Sequence, residues 1–188
     1  MRYADIPFER MCTTDIVEGI VRAVARGMHQ NYATAKMPPS CIDSPTYFAS
    51  HAWHNLFVDL VESLSAFLEG AAKAETFIWL DIFAINQDDT GDHFSAMDEL
   101  DDGKTLARVI ELSHATLVVL DRERLVPFTR LWCLYEIGKT PPHKLVLVRH
   151  GFGTRDISRH LQGIDANTAQ CFSEADRRMI LGEIVAGH

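Results

Sequence analysis

The feature that most constrains this chain is the run Trp132-Cys133-Leu134-Tyr135-Glu136, closed by Gly138 and the Pro141-Pro142 pair. It reads as a short helix, apolar nearly all round, with one carboxylate inside it. Helical angles place Glu136 one turn after Trp132 on the same side, with Thr129 nearby. Leu131, Leu134, Tyr135 and Gly138 share another side, and Cys133 and Ile137 cover a third. A helix that is apolar nearly all round is expected to be buried. A carboxylate carried into the interior is costly unless it is paired or put to use. Glu136 is therefore the first candidate for chemistry, and the remaining sequence must build a fold that encloses its helix.

A chain of 188 residues suits one domain with a single sizeable core. Its formal charge of −8 argues against nucleic acid and against an anionic membrane surface as main partners. An anionic ligand would need local donors, such as a helix N-terminus or a placed arginine. Cys12, Cys41, Cys133 and Cys171 are widely spaced and form no CxxC pair, as expected of free thiols in a reducing compartment. With no signal-like apolar stretch, no glycosylation sequon and no apolar run near membrane-spanning length, the expectation is a soluble, cytoplasmic protein.

Four short runs rich in β-branched and aromatic residues read as buried strands: Thr46–Ser50, Thr76–Asp81, Thr116–Leu120 and Lys144–Arg149. They do not alternate cleanly, which suits parallel strands covered on both faces. Between them, Leu56–Glu69 and Lys104–Ser113 carry helical periodicity, and the Trp132–Glu136 helix is the third connector. Alternating strands and helices imply crossover units and a doubly wound α/β sheet of four to five strands. An extra amphipathic helix is expected over Thr13–Met28, with Val17, Ile20, Val21, Val24 and Met28 as its apolar stripe. Residues 1–44 are accordingly expected to be a helical extension packed on a domain spanning 45–188. Ser173 should cap a last helix over Ser173–Val185, and Gly151–Cys171 stays ambiguous.

In open α/β sheets ligands bind beyond the carboxyl ends of the strands. Strand one runs into Ser50-His51-Ala52-Trp53-His54, and strand two into Asp81-Ile82-Phe83-Ala84-Ile85-Asn86-Gln87. Strand three ends at Asp121 and leads to the Glu136 helix. One cleft should therefore hold Ser50, His51, Asp81, Asn86 and Glu136. Plainer roles compete at each position. Ser50 and Asp81 can simply cap turns, the three tryptophans can be core, and Cys133 on an apolar helix can be an inert packing thiol rather than a nucleophile. His51-x-x-His54 lacks further ligands at metal-binding spacing. The acidic stretch Asp88–Asp102 places Met97 where a calcium loop needs its bidentate glutamate, so it reads as a solvated, mobile loop. No metal site and no glycine-rich phosphate loop are expected.

Three ordered segments resemble the Toll/interleukin-1 receptor (TIR) domain superfamily, in particular its microbial TIR-like members. They are Phe48-Ala49-Ser50-His51-Ala52-Trp53, Trp79-Leu80-Asp81-Ile82-Phe83-Ala84-Ile85-Asn86-Gln87 and Thr129-Arg130-Leu131-Trp132-Cys133-Leu134-Tyr135-Glu136. The middle segment is also similar to the Trp-Ile-Asp-x-x-Cys-Ile-Asn-Gln signature of heterokaryon-incompatibility (HET) domains, with Ala84 in place of the cysteine. The resemblance covers roughly residues 45 to 149. It implies a flavodoxin-like sheet and, for many members, cleavage of NAD at the nicotinamide–ribose bond. It maps the catalytic glutamate to Glu136 and the nucleotide cleft to Ser50, His51, Trp53, Asp81, Phe83 and Asn86, while Trp132 or Trp53 can stack on a ring. The chain departs from receptor-type members in lacking a Pro-Gly tip after strand two and in carrying His-Ala-Trp after the strand-one serine.

The expected activity is thus NAD glycohydrolysis, giving nicotinamide and ADP-ribose or a cyclised product, in immune, antiphage or cell-death signalling. NAD is then a substrate, no cofactor is required, and the active form is expected to be a homo-oligomer. The chemistry is consistent: an oxocarbenium-like ribose needs a nearby carboxylate, and nicotinamide leaves as a neutral molecule. Two alternatives stand beside it: a non-catalytic TIR-like module that signals by self-association, and a nucleotide N-glycosidase using the same carboxylate on nucleotides without nicotinamide.

Overall fold

The β-rich runs pair into a sheet as expected, but burial on both faces is confined to Thr116–Leu120 and Phe48–Ser50; Leu147 in the last run is 40% exposed. A computed structural model of the chain describes residues 3–28, 30–70, 75–87, 104–121, 125–149 and 164–186. Among these, β1 (Tyr47–Ser50), β2 (Ile78–Trp79), β3 (Ala115–Val119) and β4 (Leu145–Val148) form one sheet in the order β2-β1-β3-β4, and every pairing is parallel. This is the flavodoxin-like order, in which the chain steps outward from β1 to β2 and then returns across it to β3. The expected α/β sheet with its flanking helices is present. The acidic stretch after Gln87 and most of Gly151–Cys171, where a fifth strand was left open, lie outside the described residues.

Strand alternation combined with the register decides which side chains meet which helices. Phe48, Ser50, Thr116 and Val118 share one face, because Phe48 pairs with Thr116 and Ser50 with Val118. This face meets three helices: α5 (Lys104–Leu112), α6 (Leu131–Lys139) and α7 (Glu174–Ala186). Phe48, Leu106, Ile110, Leu131, Tyr135 and Ile180 form their common core, and Trp79 stacks on Phe48 with ring centroids 5.0 Å apart. Ala49, Leu117 and Val119 point the other way, against Leu60 and Leu64 of α3 (Phe57–Phe67). Ser173 caps α7 as expected, its Oγ accepting from the amides of Ala175 and Asp176.

Two expectations are corrected. The second strand is two residues long instead of six, for two reasons. At its start, Phe77 N–H donates to the Thr46 hydroxyl instead of a ladder carbonyl. At its end, Asp81 opens a helical turn, α4 (Asp81–Ala84). The N-terminal helix is also shorter and its stripe is rotated. α1 runs without a break through Thr13–Ile16, Val17–Val21 and Arg22–Ala25, and its middle turn is π-helical. The wider turn brings residues four apart onto one line. Val17, Val21 and Ala25 are fully buried, while Ile20 and Met28 are exposed.

Ile16, Val17 and Val21 of α1 pack on Ile82 of α4, with Trp53, Phe57 and Phe83 at the margin. Backbone bonds join the same layers: Thr13 N–H to Asn55 O, Thr14 N–H to Trp53 O and Phe57 N–H to Met11 O. The segment after β1 is thus held against α1 on one side and the sheet on the other. A short helix α2 (Tyr32–Lys36) follows α1, capped by the Asn31 side chain accepting from Thr34 N–H. All four cysteines are free, and no helix among the described residues is long and apolar enough to cross a membrane.

Because Ile180 is fully buried where α7 closes over α6, Ile180→Ala is expected to cost about 2–5 kcal/mol of stability. Leu112→Ala, at a side chain 56% exposed, should change it by about 0.5 kcal/mol or less. Urea unfolding monitored by circular dichroism measures both.

Candidate active site

Ser50 ends β1 on the face that looks toward α6, and Glu136 lies in the second turn of α6. Register and helical phase bring them together: Ser50 Oγ donates to Glu136 Oε2 at 2.5 Å. The helix is pinned to the sheet a second time at the same residue. Thr140 Oγ1 donates to the Glu136 carbonyl oxygen at 2.8 Å and lies 2.8 Å from Thr116 Oγ1 on β3. Thr116 is two positions before Val118, the partner of Ser50, so both attachments use the same face of neighbouring strands. The pair sits at the carboxyl end of β1, where the chain reverses its direction of winding and such sheets bind ligands.

The Glu136 carboxyl group is enclosed. Ser50 is 0% and Glu136 8% exposed. Burial pushes the Glu136 pKa from 4.5 up to about 8; the Asp81 charge adds to the rise and the Ser50 hydrogen bond opposes it. Cys133, one turn earlier, donates its thiol to the His51 carbonyl at 3.4 Å. Its pKa is pushed well up, first by burial and then by the Glu136 charge. A thiolate is disfavoured there, and Cys133 is a packing thiol rather than a nucleophile.

Asp81 is the second hub. Its Oδ2 accepts from Trp53 Nε1–H at 2.7 Å and its Oδ1 from Ile82 N–H at 2.7 Å. The buried His51 ring places Nδ1 3.9 Å from Asp81 Oδ1, within electrostatic range but beyond a hydrogen bond. His51 Nε2 is buried with no hydrogen-bond partner among the described residues. Gln87, fully buried, places Nε2 3.4 Å from the Asp81 carbonyl and leaves Oε1 without a partner among the described residues.

The structure therefore gathers Ser50, His51, Trp53, Asp81 and Glu136 in one region, with half-buried Asn86 beside Gln87 in the sequence. Two candidates go elsewhere. Phe83 packs with Tyr32 and Phe57, at 5.4 and 6.4 Å between ring centroids. It also walls an open groove of about 530 Å³ beside the edge strand β2, to which Ser50, His51 and Glu136 contribute nothing. Among the described residues no lysine, arginine or histidine lines that groove, while Asp43 does, a poor match to a pyrophosphate. Trp132 turns to the last helix. Its ring meets Tyr135 edge-on, and Nε1–H donates to Asp176 at 3.3 Å. The i, i+4 spacing put Trp132 and Glu136 on one side of the helix, but a long indole follows its packing partners. Arg130, the arginine that could meet a phosphate, donates to Gln170 Oε1 at 3.1 Å.

Gln87, Thr116 and Thr140 were not singled out as site residues from the sequence. Gln87 closes the quoted Asp81–Gln87 segment, and a polar side chain just after the apolar Ile82–Ile85 run was the available signal. Nothing local marks the two threonines, because their role depends on strand register. Comparison with protein-family models, with curated proteins and with solved structures returned no match.

Glu136 has a direct signature in stability. Between pH 4.5 and about 8 the folded chain keeps the Glu136 proton and the unfolded chain has lost it. The stability from this group is complete below pH 4.5 and is lost as pH rises through about 8. Glu136→Gln, which preserves volume and an acceptor for Ser50, should match the parent near pH 4. At pH 7 it should be more stable by roughly 3 kcal/mol. Paired thermal melts across that range measure the difference.

Proposed function

We propose that this chain is a TIR-like NAD glycohydrolase that cleaves the nicotinamide–ribose bond and uses Glu136 as its catalytic carboxylate. The observation that carries the reading is the Ser50–Glu136 pair: a buried carboxyl held by a serine at the end of the central strand, where the sheet reverses its winding. The chemistry asks for this type of group. Departure of neutral nicotinamide leaves positive charge at the ribose C1′, and a carboxylate kept out of water stabilises or captures it more effectively than a solvated one. Supporting evidence also comes from Asp81, fixed by two N–H donors close enough to raise the Glu136 pKa. Its charge adds to the field that favours a cationic pyridinium over a neutral ring.

A second reading is favoured by one specific observation, the enclosure of Ser50 and Glu136. A non-catalytic module that signals by self-association would keep Glu136 as a structural acid and never open its surroundings. Products separate the two readings. Concentrated protein incubated with NAD is expected to release nicotinamide, with ADP-ribose or its cyclic form as co-product. Glu136→Ala should stay folded and release none. Absence of release from the parent protein under crowded conditions, which promote assembly, would favour the interaction module.

The glycohydrolase should also carry a defined pH dependence. Its kcat/KM is expected to rise with pH toward about 8, as Glu136 in the free protein ionises. Ser50→Ala removes the donor that holds the Glu136 pKa down, so its limb should lie at higher pH than the parent's. Initial-rate profiles of nicotinamide release for the two proteins provide the comparison.

A further inference from the structure

We infer that His51, oriented by Asp81, is the general base that activates the water molecule discharging the ribosyl group from Glu136. This rests on the glycohydrolase reading and extends it to the second half of the reaction, for which Glu136 itself supplies no base. His51 follows Ser50 directly in the chain, and its own carbonyl accepts the Cys133 thiol of α6. Its backbone is therefore anchored to the helix that carries Glu136. Its ring is buried, with Nδ1 3.9 Å from a carboxylate oxygen and Nε2 without a partner among the described residues.

A buried imidazole nitrogen with no hydrogen-bond partner is expensive, so such a nitrogen is expected to hold a water, a ligand or a reacting group. The Asp81 charge favours the proton on Nδ1, which leaves the lone pair on Nε2. Asp81 is in turn immobilised by Trp53 Nε1–H and Ile82 N–H. A base held by an orienting carboxylate, on the residue that follows the serine bonded to the nucleophile, suits the water-attack half of a two-step displacement. Among the described residues, Asp81 from α4 faces the His51 ring and Cys133 from α6 meets its backbone carbonyl.

The steps balance as follows. In the first, a Glu136 carboxylate oxygen bonds to the ribose C1′, and the C1′–N bond breaks with its electron pair going to nicotinamide. In the second, a water oxygen bonds to C1′ while its proton passes to His51 Nε2. The C1′–O bond to Glu136 breaks with its electron pair returning to the carboxylate. The imidazolium then loses its proton to solvent, and the product is ADP-ribose.

Rapid-mixing measurement of nicotinamide release, with and without azide, tests this in His51→Gln. Azide is a nucleophile that needs no base. The expected result is a retained burst of about one nicotinamide per site, followed by a steady state at least about 10²-fold slower than the parent's. Azide should restore turnover and yield ADP-ribosyl azide. Asp81→Asn should show the same split in milder form, which keeps the test decisive should His51→Gln fail to fold. Unchanged turnover in a folded His51→Gln protein overturns the role of His51 and leaves the glycohydrolase reading intact. Burst and steady state falling together, with no azide rescue, also overturns it. A parent protein that releases no nicotinamide overturns both.

Discussion

A single hydrogen bond from a strand to a helix, Ser50 Oγ to Glu136 Oε2, organises the centre of this molecule. Removing a carboxyl group from water is costly, and here most of that cost is avoided by keeping the proton, with the pKa raised to about 8. A neutral acid can sit beside Ser50 and Cys133 where an unpaired anion would destabilise the core. The same bond requires β1 to end at Ser50 with its side chain toward α6. A slip of one residue would present Ala49 or His51 instead. The Thr116–Thr140 contact guards against that slip from the neighbouring strand, because it fixes the end of α6 against β3 at Thr140, whose hydroxyl also meets the Glu136 carbonyl.

What surrounds this centre keeps the helix from tilting away. The Leu131 amide donates to the Gln170 carbonyl, and Gln170 N–H donates to Thr129 O, so the start of α6 is stitched to the segment leading into α7. Farther along, Trp132 donates to Asp176, Tyr135 to Glu183, and Lys139 pairs with Glu183 at 2.6 Å. Exposed ion pairs alone contribute little. Four attachments on one short helix, backed by the fully buried Leu131 and Ile180, act together. Precise placement of a reacting group depends on such support, since an error of about 1 Å is enough to forfeit much of the rate.

The legible part of the fold was the part governed by local pattern. β3 is a dense apolar run at the centre of the sheet and β4 a dense apolar run at one edge, and composition alone locates both within a residue or two. β2 lies at an edge with a single partner, and its length is set by which backbone groups pair, a matter the sequence does not display. The π turn in α1 escaped because a 3.6-residue template assumes the geometry it is meant to detect. At the site, Ser50 and Asp81 were visible as polar residues at the ends of apolar strands, and Glu136 as the one carboxylate inside an apolar helix. Trp132 and Phe83 were placed in the cleft by likeness and position, but large aromatic rings go where packing partners are. For Trp132 these were Tyr135 and Asp176, and for Phe83 they were Tyr32 and Phe57.

On the glycohydrolase reading, the raised pKa of Glu136 has a chemical use. In the closed protein the group is an acid and cannot capture a ribosyl cation. A nicotinamide ribosyl group entering beside it brings a positive charge into a space that already contains Asp81. A cation at that distance stabilises the ionised form and pulls the pKa down, so the nucleophile is generated by the substrate it attacks. Ser50 then changes from donating to a neutral acid to donating to an anion, the stronger of the two bonds. A neutral nucleotide base cannot drive this ionisation, however well it is shaped to fit. The same enclosure that hides the carboxyl group in the free protein would thus select for substrates with a cationic leaving group.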